Sequence, residues 1–203
     1  IAAQDDTSAL IERQLDSLNY KVALNWEGTA TVSEKEAHYF LVEPTGTQIA
    51  LTCTFADTEL KENNTTETIF KNSATAWENY WSDGGIVDFS GSTDPRAHEL
   101  ERRVVLSQYL TKVQTAGKMP PQETGLTYNS WYGKPHLEMH WWHGVHYALW
   151  GRPQYLENTL NWYETAFENA KALAERQGFK GARWQKMTDP NGEEGPSSVG
   201  AFL

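Results

Sequence analysis

"DFSGSTDPRAHELERRVVLSQYLTKVQTAG", residues 88–117, is the stretch on which the fold turns. Asp94 suits an N-cap, Pro95 the first helical position and Gly117 the residue just past the end, so the run predicts a helix between them. Leu100, Val104 and the Val105–Tyr109 pair form its expected buried stripe. Well before it, apolar residues recur every second position. After it they recur with the helical period. The order read from the chain is therefore a β module, a connecting helical region and then helical hairpins.

The β module covers residues 18–56. "YKVALNWEG" alternates Tyr20, Val22, Leu24 and Trp26 against polar neighbours, and "IALTCTF" alternates Ile49, Leu51, Cys53 and Phe55. Between them "AHYFLVEPTG" is a strand closed by a Pro/Gly turn. Three strands with one apolar face need partners. The polar tract "DTELKENNTTET" reads as a loop, and its two sequons, at Asn63 and Asn64, are of a kind common by chance. Phe70, Ala74, Trp77 and Trp81 then share one helical face until "DGG" stops the helix.

Beyond residue 117, "KMPPQETGLTYNSWYGKP" is a long aromatic loop, and loops of that length are usually functional. A short helix is expected over about 137–150. A longer one is opened by Pro153 and closed by Gly178, with Leu156, Leu160, Tyr163, Phe167, Ala170 and Ala174 as its inner stripe. The two are joined so tightly that they must form an antiparallel hairpin.

Composition excludes several classes. The formal charge of −10 argues against nucleic acid, whose phosphates need Lys and Arg. No run reaches the ~18–20 apolar residues of a membrane span. Cys53 is the single cysteine, so no intrachain disulfide and no cysteine-rich metal site is possible. Tryptophan is the outlier: there are nine, and eight lie after residue 76. Indole faces serve large cores, and they also stack on sugar C–H faces. The opening "IAAQDD" has no Met, basic segment or apolar segment, and "SSVGAFL" ends on an apolar run, so both ends read as cut.

The densest chemistry lies in "GKPHLEMHWWHGVHYALW", residues 133–150. On a helical wheel His136, His140, His143 and Tyr147 share one face, and Glu138, Trp142, Val145 and Leu149 the opposite one. Histidines at i and i+4 can chelate a metal, yet "HLEMH" is not H-E-x-x-H, and its glutamate points away from them. For His143 and His146 the expectation is hydrogen bonding at a helix interface. Glu138 is more informative, because a carboxylate leading an apolar face is costly unless something uses it. A second cluster, "GFKGARWQKMTDPNGEEGPSS", combines Arg183, Trp184 and Lys186 with Glu193 and Glu194, the make-up of a polyol-binding loop.

These residues carry a resemblance. "GARW…T…GEE…PS" resembles the corresponding run of glycoside hydrolase family 65-like enzymes, and "HLEMHWWH" occupies the place of their Trp-Asp segment. "GGIVDFSGSTDPRAHELERRVVLSQYL" and "PPQETGLTYNSWYGKPHLEMHWWH" look closer still to six-hairpin glycosidases of bacterial glycan-degrading systems. The resemblance spans about residues 18–203. It departs from the family at Leu137, where the family has Trp, and at Glu138, where it has Asp. It implies an α+β chain: the C-terminal part of a β-sandwich over 1–60, a linker with a helix over 61–93, and the start of an (α/α)6 barrel over 94–203. Six hairpins need about twelve helices, so the chain is expected to be an internal part of a longer enzyme.

The function implied is an inverting glycosidase acting on oligosaccharides, in the periplasm or outside the cell, without cofactor or metal. The substrate-binding residues would be Glu138, His140, Trp141, Trp142, Arg183, Trp184, Lys186 and Glu194. The general acid is expected beyond Leu203, with Glu194 the lesser candidate within the chain, so residues 1–203 alone are expected to be inactive. The rival class is a non-catalytic carbohydrate-binding module, and a His-rich metal-binding protein comes third.

Overall fold

A computed structural model describes residues 1–15, 18–57 and 65–195. Asn63, Asn64 and the terminal "SSVGAFL" lie outside the described residues. The chain is α+β, with strands in two antiparallel sheets and five α-helices among the described residues. It divides into two compact units, Ile1–Asn79 and Tyr80–Leu203.

The first unit holds β1 (Ala3–Gln4), β2 (Ser8–Leu15), β3 (Leu18–Glu27), β4 (Ala30–Glu36), β5 (Tyr39–Pro44) and β6 (Ala50–Ala56). One sheet has the order β1-β2-β3-β6, and β4 and β5 form a separate hairpin. The alternation in β3 behaves as its sequence predicts: Val22, Leu24 and Trp26 are buried with Ala9 and Ile11 of β2 and Ala30 and Val32 of β4. β1 and β2 extend the sheet to a region not read as strand, where the apolar residues Ala9 and Ile11 are outnumbered by polar ones.

β6 corrects the expected apolar face. Leu51, Cys53 and Phe55 stand opposite Trp26, Leu24 and Val22 in the antiparallel register and so share their face of the sheet. Yet they are exposed, Phe55 at 69%. The hairpin residues that bury β2 and β3 form a cluster that includes no β6 side chain. On the other face Thr52 is buried, with its hydroxyl donating to the Asn25 carbonyl at 3.4 Å.

α1 (Thr66–Ser82) begins with the Thr65 hydroxyl accepting from the Thr68 N–H at 3.2 Å. Its expected face is not buried: Phe70 and Ala74 are exposed, and Trp77 and Trp81 are half-buried. Tyr80 is its buried residue.

The second unit contains α2 (Ala97–Thr115), α3 (Leu137–Leu149), α4 (Gln154–Thr165) and α5 (Phe167–Arg176). α2 starts two residues later than Pro95 predicts, because Asp94 spends its carboxylate on the backbone N–H and guanidinium of Arg96. Its stripe is also displaced. Leu100, Val105 and Tyr109 are exposed and Val104 half-buried, whereas Gln108 is buried. The face that packs is the polar one, since the Tyr147 hydroxyl of α3 donates to the Thr111 carbonyl at 3.0 Å and lies 3.2 Å from the Thr115 hydroxyl. Val105, Leu106, Tyr109, Leu110 and Val113 are about two-fifths exposed.

α3 and α4 are antiparallel, as their short connection predicts. His140 meets Thr159 and Tyr163, Gly144 meets Leu156, and Tyr147 meets Tyr155. A Cβ on Gly144 would lie 2.5 Å from Leu156 Cδ1, so the Leu156 side chain occupies the space the glycine leaves. The expected long helix is broken at Ala166 into α4 and α5. The 189–192 turn seats at the break: the Pro190 carbonyl accepts from the Trp162 indole at 2.7 Å and the Asn191 carbonyl from Asn169 at 2.9 Å. The buried stripe is accordingly Thr159, Trp162, Ala166, Ala170, Leu173 and Ala174, while Leu160 and Phe167 stay exposed. No helix among the described residues is long and apolar enough to cross a membrane.

Candidate functional site

Three segments converge on the start of α3. His136 hydrogen-bonds the Pro121 carbonyl through its backbone N–H at 3.0 Å, Leu137 N–H donates to the Lys186 carbonyl at 2.7 Å, and His136 pairs with Met187 as an isolated antiparallel bridge. The 118–135 loop, the helix N-terminus and the 183–188 strand-like run are thereby tied by backbone bonds.

His136 caps α3 with its ring: Nδ1 accepts from the Met139 N–H at 3.3 Å. Nδ1 being an acceptor, the proton of the neutral ring sits on Nε2, which lies 3.7 Å from Glu123 Oε2. Burial lowers the His136 pKa, and the carboxylates of Glu123 and Glu138 oppose that shift. Glu123 also accepts from the Trp131 indole N–H, and its backbone carbonyl accepts from His143 Nε2 at 2.9 Å. Glu138 pairs with Lys186 at 2.5 Å, and the ammonium hydrogen bond holds its carboxyl below the usual carboxylate range. Two carboxylates, an imidazole and an ammonium thus share one small region.

The adjoining loop is rigidly braced. The Gln122 side chain donates to the carbonyls of Gly125 at 2.6 Å and Tyr128 at 3.1 Å and accepts from the Ser130 N–H at 3.0 Å. Thr124 adds a bond to the Tyr128 carbonyl at 2.7 Å. What the bracing holds is unusual: Trp131 and Tyr132 have φ of 49° and 61°, a left-handed backbone that bulky residues rarely adopt. Such strain costs about 1–3 kcal/mol per residue and concentrates at ligand sites. Tyr132 is 89% exposed, and Tyr128 and Trp131 are exposed beside it in sequence.

The predicted residues fall into distinct settings. Glu138 and Lys186 are brought together. Trp141 and Trp142 project from α3 with 64% and 63% exposure. His140 is buried and both ring nitrogens are occupied: Nε2 meets Thr159 Oγ1 at 2.7 Å and Nδ1 the Tyr163 hydroxyl at 3.0 Å. Trp184 packs edge-on against Tyr163 with centroids 5.6 Å apart, and its indole N–H is buried without a partner. Arg183 lies over the Phe179 ring and donates to Gln177. Glu194 is engaged at both oxygens, by Arg176 and by Gln185, which ties the 189–195 turn to α5.

His143 Nε2 meets the Glu123 carbonyl of the 118–135 loop rather than a helix, and His143 Nδ1 and His146 Nε2 are buried without a partner. Among the described residues no group of three or more His, Cys, Asp and Glu side chains is placed to hold a metal ion. Sequence reasoning left Glu123 and His136 out of the site. The signal that pointed their way was the length and aromatic content of the 118–135 loop. Comparison with family models, with curated proteins and with solved structures returned no match, so geometry and residue chemistry carry the functional argument.

Proposed function

We propose that the chain is the sandwich-to-barrel portion of a six-hairpin, family 65-like glycosidase, and that the region around Glu123, His136, Glu138 and Lys186 binds oligosaccharide. The observation that carries the reading is the braced loop. It tethers Trp131 to the Glu123 carboxylate and holds Trp131 and Tyr132 in a strained backbone next to two carboxylates and an ammonium. Aromatic faces with a few fixed polar groups are what a sugar ring needs. Glu138, ionised at neutral pH by its Lys186 partner, is suited to accept from sugar hydroxyls and unsuited to donate a proton as general acid.

In the proposed enzyme an inverting attack would use one carboxylic acid to protonate the leaving oxygen and a second carboxylate to activate water. The antiparallel α3–α4 hairpin supports the barrel reading. So do the open apolar faces of α2 and of α3, where Leu149 is 79% exposed, since a closed ring of hairpins would cover them. The resemblance implies a periplasmic or extracellular setting.

A second reading, a carbohydrate-binding module without catalysis, is favoured by one observation. Among the described residues, each carboxylate whose pKa departs from the usual range departs downward, as at Asp5, Asp88, Asp94, Glu99 and Glu138. Titration with a panel of oligosaccharides, together with an assay for released reducing ends, tests both. Binding lost in Glu138→Gln and Tyr132→Ala supports the site, and turnover separates enzyme from module. If no oligosaccharide binds, or neither variant alters binding, the reading fails.

A further inference from the structure

A half-open pocket of 290 Å³ lies in the helical unit, among the end of α1, α2 and the last turns of α3. It is built by residues other than those around Glu138, so a ligand held there is independent of the function proposed above. Tyr80, Tyr147 and Trp150 give it an aromatic wall. The α2 wall presents Arg103, Ser107 and Thr111, one above another at intervals of four, with Gln108 beside them. Among the described residues no aspartate or glutamate lines the pocket.

The surroundings are cationic, in a chain whose formal charge is −10. On α2 two guanidiniums share one carboxylate. Arg102 takes both oxygens of Glu99, at 2.8 and 2.9 Å, and Arg103 reaches it through Nε alone, at 2.7 Å. One positive charge is therefore in excess, and Nη1 and Nη2 of Arg103 have no acceptor among the described residues. The Arg103 side chain is 70% exposed, so those N–H groups are open to a ligand. Behind the wall stands Arg152, 1% exposed. It donates to the carbonyls of Tyr80 and Gly85 and to Gln108 Oε1, all neutral acceptors, and among the described residues no carboxylate pairs with it. Buried charges are ordinarily paired. Tyr80 and Gln108 also line the pocket, so the charge of Arg152 acts there through protein, where salt screens weakly. Lys112 adds a third cation, with Nζ 4.8 Å from the Tyr80 ring centre.

We propose that this pocket binds a small aromatic carboxylate. The ligand ring lies against the wall of Tyr80, Tyr147 and Trp150, and its carboxylate accepts from the Nη groups of Arg103. The volume is at the small end for ligand pockets and suits a single ring. A neutral ring would leave the excess charge unanswered. Arg103 also lines a larger groove with Phe89, but Asp94 and Glu99 line that groove too and repel an anion.

The test titrates the full chain with benzoate, its neutral isostere benzamide and the saturated cyclohexanecarboxylate, reading ligand-observed saturation transfer. Benzoate should bind, and both analogues should bind roughly tenfold more weakly, one for want of charge and the other for want of a flat face. Arg103→Gln should weaken benzoate roughly tenfold, and Glu99→Gln, which removes the competing carboxylate, should tighten it. These opposite signs are a pattern that loss of structure would not give. Val104→Trp, which fills the pocket from the α2 wall, should abolish binding, whereas Phe89→Ala in the larger groove should leave it unchanged. Should Val104→Trp fail to fold, Phe89→Ala and the Arg103 and Glu99 variants decide the matter. The inference is overturned if benzoate does not bind, if benzamide binds as well, or if Arg103→Gln binds as the parent does. It is equally overturned if Phe89→Ala abolishes binding. Benzoate binding that is lost in Tyr132→Ala but survives Arg103→Gln also overturns it, and the oligosaccharide titration of the Glu138 region stands or falls separately.

Discussion

Replacing His140 tests the reading of the α3–α4 interface most directly. Thr159 has one hydroxyl proton, and the 2.7 Å bond to the Leu156 carbonyl uses it. Thr159 Oγ1 must therefore accept from His140, which puts the ring proton on Nε2 and makes Nδ1 the acceptor of the Tyr163 hydroxyl. The chain of bonds runs Tyr163 to His140 to Thr159 to Leu156, with every donor placed. His140→Leu keeps much of the volume but strands the Tyr163 O–H, and a stranded buried donor costs about 1–3 kcal/mol. Adding about 1 kcal/mol for the lost bond to Thr159, the total is about 2–4 kcal/mol, or roughly 5–15 °C in Tm for a chain of this length.

Removing both partners should cost less than the sum. His140→Leu/Tyr163→Phe leaves no stranded donor, so the double variant should recover about 1–2 kcal/mol of the summed single losses. Urea unfolding followed by far-UV circular dichroism measures all four corners of the cycle. Additive losses would refute the bond assignment, as would imidazole nitrogen spectra showing the proton on Nδ1 of His140.

Acidification should destabilise the helical unit. Burial is the leading cause that lowers the pKa of His136, His140, His143 and His146 below the ordinary 6.5. The unfolded chain therefore takes up protons first, so stability is whole above pH 6.5 and declines as pH falls below it; a melting temperature that rises on acidification from pH 7 to 5 would contradict this. Gly84→Ala should lose about 2–4 kcal/mol, because the residue has φ of 75° and an added Cβ would sit 2.5 Å from the Trp150 carbonyl; thermal melts check it. Tyr132→Gly should gain about 1 kcal/mol by relieving the backbone at φ 61° while losing oligosaccharide binding, a trade visible by melting and titration together. Leu106→Lys with Leu110→Lys, on the open face of α2, should reduce concentration-dependent association in sedimentation without changing the circular dichroism spectrum.

Where the sequence was legible, the physics was local. The period of two in β3 is set by the pleat, and Val22, Leu24 and Trp26 follow it into the core. The same period in β6 told which residues share a face but not whether anything covers that face, and Phe55 shows that burial is decided by distant chain. Helix ends were close because Pro, Gly and caps act within a few residues, whereas helix faces were misassigned in α2 and in α4–α5. In α2 an apolar stripe lost to Gln108, Thr111 and Thr115: Gln108 and Thr111 accept hydrogen bonds from α1, α3 or Arg152, and the Thr115 hydroxyl donates to the His143 carbonyl of α3. Such bonds join residues 28 to 44 positions apart, a separation at which periodicity carries no signal. Glu138 stood out in the sequence because a lone carboxylate on an apolar face has no cheap explanation. Its partner Lys186 was recognisable as a functional type, but their pairing required the Leu137–Lys186 backbone bond to bring the two segments together. Glu123 was hidden for the opposite reason: in a polar loop a carboxylate needs no explanation, and only the folded loop reveals that Trp131 and His136 both face it.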